Sequence, residues 1–288
     1  MENLRVLSLD DRPFFESLCA ANPSESCERC FGVNFMWRGS VGYPFAKWRG
    51  RAVFFDSRAG FALYPIGGDT PPVELSEMLC ELSARSLNAK FVYDVPPDYP
   101  EKFPEVAEFF KIEANPDDFD YIYDAQNLFE MRGAVLRKKR NHIKHFKSLN
   151  PNWRQEEFNG ANIAQAREFM MHLAMPNEVE PLARAFDFFD KLPLDGILLR
   201  GENGKIAAAA IMGALSPQMY SVHFEKSDKT LEGAAQMIVF LEALRLIGRG
   251  VKFMNREQDL GLENLRHAKR SLDPLRFYRR LKLYPIFK

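Results

Sequence analysis

Apolar residues along this chain recur at two periods, and the switches between them divide it into elements. After Asp10-Asp11, the residues Phe14, Phe15, Leu18 and Cys19 repeat at helical spacing, with Pro13 in the first turn. Aromatic-rich runs at 31–37, 52–56 and 60–65 read as strands, punctuated by Gly39, Gly50, Gly60 and the Gly67-Gly68 pair. Pro71-Pro72 opens a helical pattern over 73–88, and a strand over 90–95 is stopped by Pro96-Pro97. Pro100, Pro104, Pro116 and the Asp117-Asp118 pair mark 96–120 as a boundary between two domains, 1–120 and 121–288.

Beyond the boundary, a helical region over 124–150 ends at Pro151. Helices over 162–175 and 178–191 lead to strands over 194–200, 206–215 and 219–226, with Glu202-Asn203-Gly204 as a hairpin turn. A long helix over 231–248 carries Ala234, Ile238 and Leu241 down one side and ends at Gly248 and Gly250. A strand over 251–254, a helix over 262–271 and an extended segment over 281–287 complete the order. A meander feeding a helix and then another strand is an α+β arrangement, a mixed α/β sheet capped by helices.

The chain has 288 residues, 46% of them hydrophobic, with 39 Lys+Arg against 39 Asp+Glu. That is too apolar and too nearly neutral for disorder. No apolar run approaches the roughly 18 residues that cross a bilayer. Acidic residues arrive in MENLRVLSLDDR before an apolar stretch forms, so no signal peptide is expected. The expected location is the cytoplasm, with the four cysteines reduced. The neutrality hides a split: residues 1–135 carry 13 Lys+Arg and 22 Asp+Glu, and the remainder carries 26 and 17. A positive second half suits an anionic ligand, or the two halves simply attract each other.

Three constellations carry candidate chemistry. The first is 137–147, RKKRNHIKHFK, with six cations, two histidines and no acid. As a helix it would turn Leu136, Ile143 and Phe146 to one side and offer the basic groups to phosphates; the plainer reading is a solvated face. The second is Asn255-Arg256-Glu257-Gln258-Asp259, directly after an apolar strand, where sheet-end loops place ligand-binding groups. A carboxylate beside an Arg can serve as base or clamp, whereas Asp259 alone could be a helix cap. The third is 225–233, joining a strand to the start of the long helix, where Gly233 would let a ligand approach the backbone. Cys27-x-x-Cys30, with Cys19 and Cys80 elsewhere, lacks the second close pair of a structural zinc site, so no metal is expected. His172, His223 and His267 stand alone, and no phosphate-binding loop or nucleophile elbow appears.

KKRNHIKHF (138–146), with FEKSDKTLEGAAQ, NREQDLG and LRHAKRSLDP between His223 and Pro274, resembles a bacterial family grouped with the C-terminal domain of phosphatidylglycerol lysyltransferase, over residues 120–285. The resemblance implies two tandem domains of the GNAT fold (GCN5-related N-acetyltransferase-like). In that fold two neighbouring parallel strands splay into a cleft, and an amine or hydroxyl attacks an activated acyl or aminoacyl donor directly. The donor so implied is a CoA thioester or an aminoacyl-tRNA. Carried onto this sequence, Lys226, Lys229, Thr230 and Gly233, with Lys138, Lys139 and Arg140, would hold the donor. Asn255, Arg256 and Asp259 would hold the acceptor, Arg256 as a clamp for an anionic group. Glu257 would be the base, Glu225 its reserve, and Tyr284 a proton donor to the leaving group if the last strand returns to the cleft. Acetyl-CoA enzymes of this fold carry Q/RxxGxG/A before the donor helix, whereas KTLEGAA (229–235) keeps one glycine of that pattern. DNA is not an expected partner, and a lipid acceptor would be reached from the surface. The alternative is a non-catalytic binder of tRNA, RNA or another polyanion, or an interaction module, on the same scaffold.

Overall fold

The computed structural model describes residues 1–38 and 43–286; Gly39 and Phe287 of the sequence analysis lie outside the described residues. By contacts the chain divides into two compact units, one of Met1–Phe119 with Tyr278–Lys288, the other of Asp120–Phe277.

In the first unit α1 (Arg12–Ala21) and α2 (Phe31–Arg38) precede a meander of β1 (Phe45–Trp48), β2 (Arg51–Asp56) and β3 (Phe61–Leu63). Helix α3 (Pro72–Ser83) leads to β4 (Phe91–Val95), followed by α4 (Tyr99–Lys102), α5 (Val106–Phe109) and β5 (Phe110–Glu113). The second unit holds β6 (Asp120–Asp124), α6 (Ala125–Glu130), α7 (Arg137–Leu149), β7 (Arg154–Glu157), α8 (Ile163–His172) and α9 (Val179–Asp187). Its meander of β8 (Leu194–Arg200), β9 (Ile206–Ser216) and β10 (Met219–Ser227) is followed by α10 (Ala234–Gly248), β11 (Phe253–Asn255), α11 (Glu263–Arg270) and β12 (Arg276–Tyr278), whose last residue, Tyr278, already counts with the first unit. The chain then returns to the first unit as β13 (Leu281–Pro285).

Each unit wraps a mixed sheet around the same sequence of steps. The sheet orders are β1-β2-β3-β4-β13-β5 and β12-β6-β11-β10-β9-β8-β7. In each, an antiparallel meander hands over to a helix, and the next strand pairs parallel to the last of the meander: β3 with β4, and β10 with β11. A helical crossover is what a parallel pair requires. An antiparallel strand from elsewhere in the chain then flanks the pair, β13 beside β4 and β6 beside β11. Val53, Phe55, Leu75, Met78, Val92 and Leu283 are among the buried residues of the first core. Ile197, Ala208, Met212, Ile238, Leu241 and Met254 belong to the second.

Several sequence expectations change. Residues 31–37, expected as a strand, form α2. Almost every side chain there is buried, which hides the helical period, and the Asn34 amide caps the carbonyls of Glu28 and Cys30. The 124–150 region is two helices, broken where Met131 and Gly133 take positive φ. The expected second domain loses its last residues to the first unit, because β13 hydrogen-bonds along both β4 and β5. With the units drawn this way, the first carries 16 Lys+Arg against 19 Asp+Glu and the second 23 against 20. The charge split is thus smaller than the linear sequence suggests, because the cations of 278–288 belong to the first unit and the net acidic stretch 120–135 to the second. Cys27 and Cys30 are buried, Cys80 is exposed, and burial pushes the Cys19 thiol up to about 12. Among the described residues no three His, Cys, Asp or Glu gather as a metal site, and no helix is long and apolar enough to cross a membrane.

Leu283 is fully buried in an interior strand of the first sheet. Leu283→Ala is therefore expected to lower unfolding free energy by about 2–4 kcal/mol in urea titrations; a loss below about 1 kcal/mol would remove β13 from that core.

Candidate active site

The site is built where two parallel strands stop pairing. β10 and β11 run together for three residue pairs, ending at Ser221 opposite Asn255. β10 continues to Ser227 along β9, whereas the chain after β11 turns to β6: Arg256 N–H donates to Tyr121 O at 2.9 Å, and Tyr121 N–H donates to Glu257 O at 3.2 Å. The two lips part, and side chains bridge the gap that the backbone leaves.

Asn255 sets the geometry. It is fully buried, its Nδ2 donates to Asp120 Oδ2 at 3.0 Å, and its Oδ1 accepts from the Glu257 N–H at 2.7 Å. This clamp holds Glu257 at φ +58°, a left-handed conformation that a side chain rarely adopts. The Glu257 carboxylate consequently points back at β10. Its Oε1 accepts from Ser221 Oγ at 3.0 Å and lies 2.9 Å from His223 Nδ1, a geometry in which the imidazole N–H donates. β10 carries a bulge between Val222 and Phe224, and bulges re-aim side chains beside functional sites. Gly213 on β9 makes the room: a Cβ there would stand 2.6 Å from His223 Nε2.

Arg256 bridges the strands beside Glu257. One Nη donates to Glu225 Oε2 on β10 at 2.6 Å, the other to Glu242 Oε2 on α10 at 2.7 Å. Burial works against the guanidinium, but its acidic neighbours Glu225 and Glu242 more than offset it, so it stays charged. Glu242 is fully buried, and that burial, with the neighbouring Glu225 charge, holds its carboxyl well above the usual range despite Arg256. The structure places Arg256 as a tie, its fork holding Glu225 on β10 and Glu242 on α10, so the anion-clamp role expected of it would first require one of these partners to be released. Asp259 is likewise engaged, by both Arg266 Nε and Nη2, by Tyr121 Oη at 2.6 Å and by Gly261 N–H. Desolvation opposes the shift, yet these donors bring its carboxyl down to about 2. It closes the loop rather than facing an acceptor.

The donor-side residues divide as well. Lys226 is bound to Glu178 at 2.5 Å. Lys229 and Thr230 are exposed, and Asp228 accepts from Thr230 N and Oγ1. Gly233, the α10 N-cap, has φ +84°, and a Cβ on it would lie 2.3 Å from the His142 carbonyl. Helix α7, not a ligand, makes the close approach foreseen for that glycine. Leu136, the N-cap of α7, enters the core together with Ile143 and Phe146 of that helix. His142 and His145 each stand 3.3 Å from Glu232. Arg140 caps the carbonyls of Met131 and Gly133. Burial lowers the Lys139 pKa, while Arg137, Lys138 and Lys144 are exposed. Tyr284 stands in β13 opposite Lys111, its ring 5.1 Å from Phe91, in the first unit's sheet. The proton-donor expectation needed that strand beside β10 and β11 and is withdrawn. Sequence analysis does not single out Ser221 or Glu242 and sets His223 aside as a lone histidine; the signal for the strand residues is Ser221-x-His223-x-Glu225, three polar groups at alternate positions of one apolar strand.

Comparison with known proteins fits this frame. The family model described as phosphatidylglycerol lysyltransferase, C-terminal, matches residues 21–282; the chain belongs to that family. A conserved protein of unknown function from Bacteroides thetaiotaomicron superposes with a TM-score of 0.88 at 24% identity, covering 100% of both chains. L-PGS from Bacillus licheniformis follows at 0.70 and 11% identity, covering 99% of this chain and 94% of that one. A tandem GNAT protein from the clavulanic acid biosynthesis pathway matches at 0.50 and 9% identity, covering 98% and 96%. The fold is thus that of tandem GNAT-like domains. A search of curated proteins finds no match.

Two outcomes test this geometry. Gly233→Ala adds strain at positive φ and a clash with the α7 backbone, and is expected to cost about 2–4 kcal/mol in chemical denaturation; a neutral effect would detach α7 from α10. The Glu242 proton is held by the folded state, so its contribution is present at acid pH and is lost as pH rises above the unfolded carboxyl range. Urea titrations at about pH 5 and about pH 8 should show wild-type stability falling between them and Glu242→Gln flattening the fall. An equally steep fall in the variant would contradict a protonated Glu242.

Proposed function

We propose that this member of the phosphatidylglycerol lysyltransferase C-terminal family transfers an activated aminoacyl group from aminoacyl-tRNA to an amine or hydroxyl acceptor, in the opening between β10 and β11. The observation that carries the reading is the Glu257 carboxylate, pinned at a strained φ in that opening with Ser221 and His223 donating to it. Strain maintained by surrounding bonds is a mark of a functional position.

The roles follow from the geometry. Glu257 takes the proton from the attacking amine or hydroxyl as the new bond to the donor carbonyl carbon forms, and returns that proton to the ribose oxygen of the tRNA as the ester bond to it breaks. Ser221 and His223 fix its orientation. Arg256 holds Glu225 on β10 and Glu242 on α10 and so keeps the lips at a fixed separation, as direct attack on the donor carbonyl carbon requires. Asn255 and Asp259 pin the loop that carries Glu257. Glu225 remains the reserve base.

Two features favour aminoacyl-tRNA over a CoA thioester. The first turn of α10 lies against α7 at Gly233, which crowds the backbone that would cradle a pyrophosphate. Helix α7 also exposes Arg137, Lys138 and Lys144, three cations suited to an RNA backbone. Lys226, Lys229 and Thr230, between that helix and the opening in sequence, are assigned to the donor side.

The test is transfer of labelled lysine from lysyl-tRNA to phosphatidylglycerol vesicles, beside transfer of acetyl from acetyl-CoA to a diamine. Glu257→Gln is expected to cut aminoacyl transfer by about 10²–10⁴-fold with an unchanged melting temperature. Full transfer by the variant would remove Glu257 as base. Acetyl transfer alone would overturn the donor assignment, and salt-sensitive tRNA binding without turnover would favour the non-catalytic binder.

A further inference from the structure

Helix α7 ends against a strip of aromatic side chains whose outer side neither the core nor the transfer opening uses. Pro151 stops the helix, and Asn150 fixes the turn that follows. Its Nδ2 donates to Phe146 O at 2.9 Å, its Oδ1 accepts from the Glu202 N–H at 2.9 Å, and its carbonyl accepts from the Trp153 N–H at 3.0 Å. Trp153 is thereby laid back over the helix end. Trp153 and Phe240 of α10 are only half-buried against the core, and Phe129 of α6 stacks on Phe240 with ring centres 5.3 Å apart. Leu244, one turn beyond Phe240 on α10, is 40% exposed.

Lys147 stands between the rings. Its Nζ lies 4.6 Å from the centre of the Phe240 ring and 5.4 Å from that of Trp153. Lys144 and Arg137 continue the same edge of α7 and are exposed, so a line of cations runs about 15 Å along the helix. Among the described residues none of these three cations lies within ion-pair distance of a carboxylate. The acids of the neighbouring elements are committed elsewhere. Asp124 caps α6, Glu130 pairs with Arg132, and Glu202 holds Asn152. Glu157 and Asp195 pair with Arg245, and Glu232 faces His142 and His145 on the other edge of α7.

This pairing of groups selects one kind of partner. A polyanion supplies the charge that the lysines and Arg137 lack, and flat ring faces beside it are what unstacked bases bind. A duplex hides its base faces inside the stack, so the rings favour a single strand. An acidic protein surface would match the charge but not the ring faces. The place is also suitable, since Phe240 stands about two turns along α10 from Gly233, the N-cap that follows the β10 lip.

We propose that this edge of α7 and the Trp153–Phe240 strip bind single-stranded RNA, the 3′ end of the donor tRNA, with Arg137 and Lys144 on its phosphates and an unstacked base on Trp153. Lys147, on its flexible stem, leaves the ring for a phosphate as the base takes its place. The identity of the RNA rests on the aminoacyl-tRNA reading above; the stacking surface itself does not.

The experiment is a fluorescence-anisotropy titration of the full chain with a labelled single-stranded RNA ending in ACCA, and with the same strand annealed to its complement, each at several salt concentrations. The single strand should bind at least about fivefold tighter than the duplex, a comparison that needs no variant. Trp153→Leu keeps apolar bulk and removes the ring face. It should weaken the single strand about five- to 100-fold and leave duplex affinity and circular dichroism unchanged. Trp153→Phe should restore most of the affinity. Lys144→Gln should lower the slope of log affinity against log salt for the single strand by about 0.7. Equal or tighter duplex binding, a folded Trp153→Leu that binds the single strand as wild type does, or an unchanged salt slope would each overturn the proposal. So would a wild-type dimer that Trp153→Leu makes monomeric, with no RNA binding by either. Binding of the expected kind without aminoacyl transfer would keep the stacking surface and remove the transfer reading alone.

Discussion

The second unit depends on one backbone event, the end of β10–β11 pairing after Ser221 and Asn255. A parallel pair that stops in mid-sheet leaves amides and carbonyls that must find other partners. Here β6 takes the departing chain, receiving Arg256 N–H and donating to the Glu257 carbonyl. The Asn255 amide secures the turn by binding Asp120 and the Glu257 N–H together. The side chains that face the opening are consequently polar and strongly coupled: Glu257 with Ser221 and His223, and Arg256 between Glu225 and Glu242. Breaking one member of such a buried network strands the others, so its geometry is held as a unit.

The same scaffold is used twice, and the contrast shows what the scaffold fixes and what it leaves free. Meander, helix, parallel strand and flanking antiparallel strand recur in both units. The flanking strand always comes from a remote part of the chain: β13 from the C-terminal end for the first unit, β6 from just beyond the boundary for the second. Around the two parallel pairs the charges differ in kind. The second holds carboxylates stabilised by one arginine, and the first holds arginines stabilised by two carboxylates.

The sequence revealed the elements whose pattern is long and punctuated. The β8–β10 meander, α10 and β11 are legible because apolar runs alternate with Asn-Gly and Gly breaks. Helix α2 was not, since burial on every side erases amphipathic phase. β7 was not either, because the edge strand Arg-Gln-Glu-Glu has no apolar residue to announce it. β13 could be seen as extended, but its sheet could not be read locally, as pairing with β4 and β5 is a long-range choice. For the candidate site, five polar residues after an apolar strand drew attention to 255–259. What sequence could not assign was their division of labour. Asn255 and Asp259 shape the loop, Arg256 ties strands, and Glu257 alone is aimed back across the opening. Its partners lie on β10, and the bulge that re-aims His223 leaves no sequence signature.

The account is tested most directly by a crystal structure of the chain with a non-hydrolysable tRNA terminus, 3′-lysylamino-3′-deoxyadenosine. The account places the lysyl carbonyl between β10 and β11, with the Glu257 carboxylate within hydrogen-bond reach of the position an attacking amine or hydroxyl would take. A lysyl group bound outside that opening, or an opening unchanged and filled by the Glu257 and Arg256 side chains at saturating ligand, would contradict it.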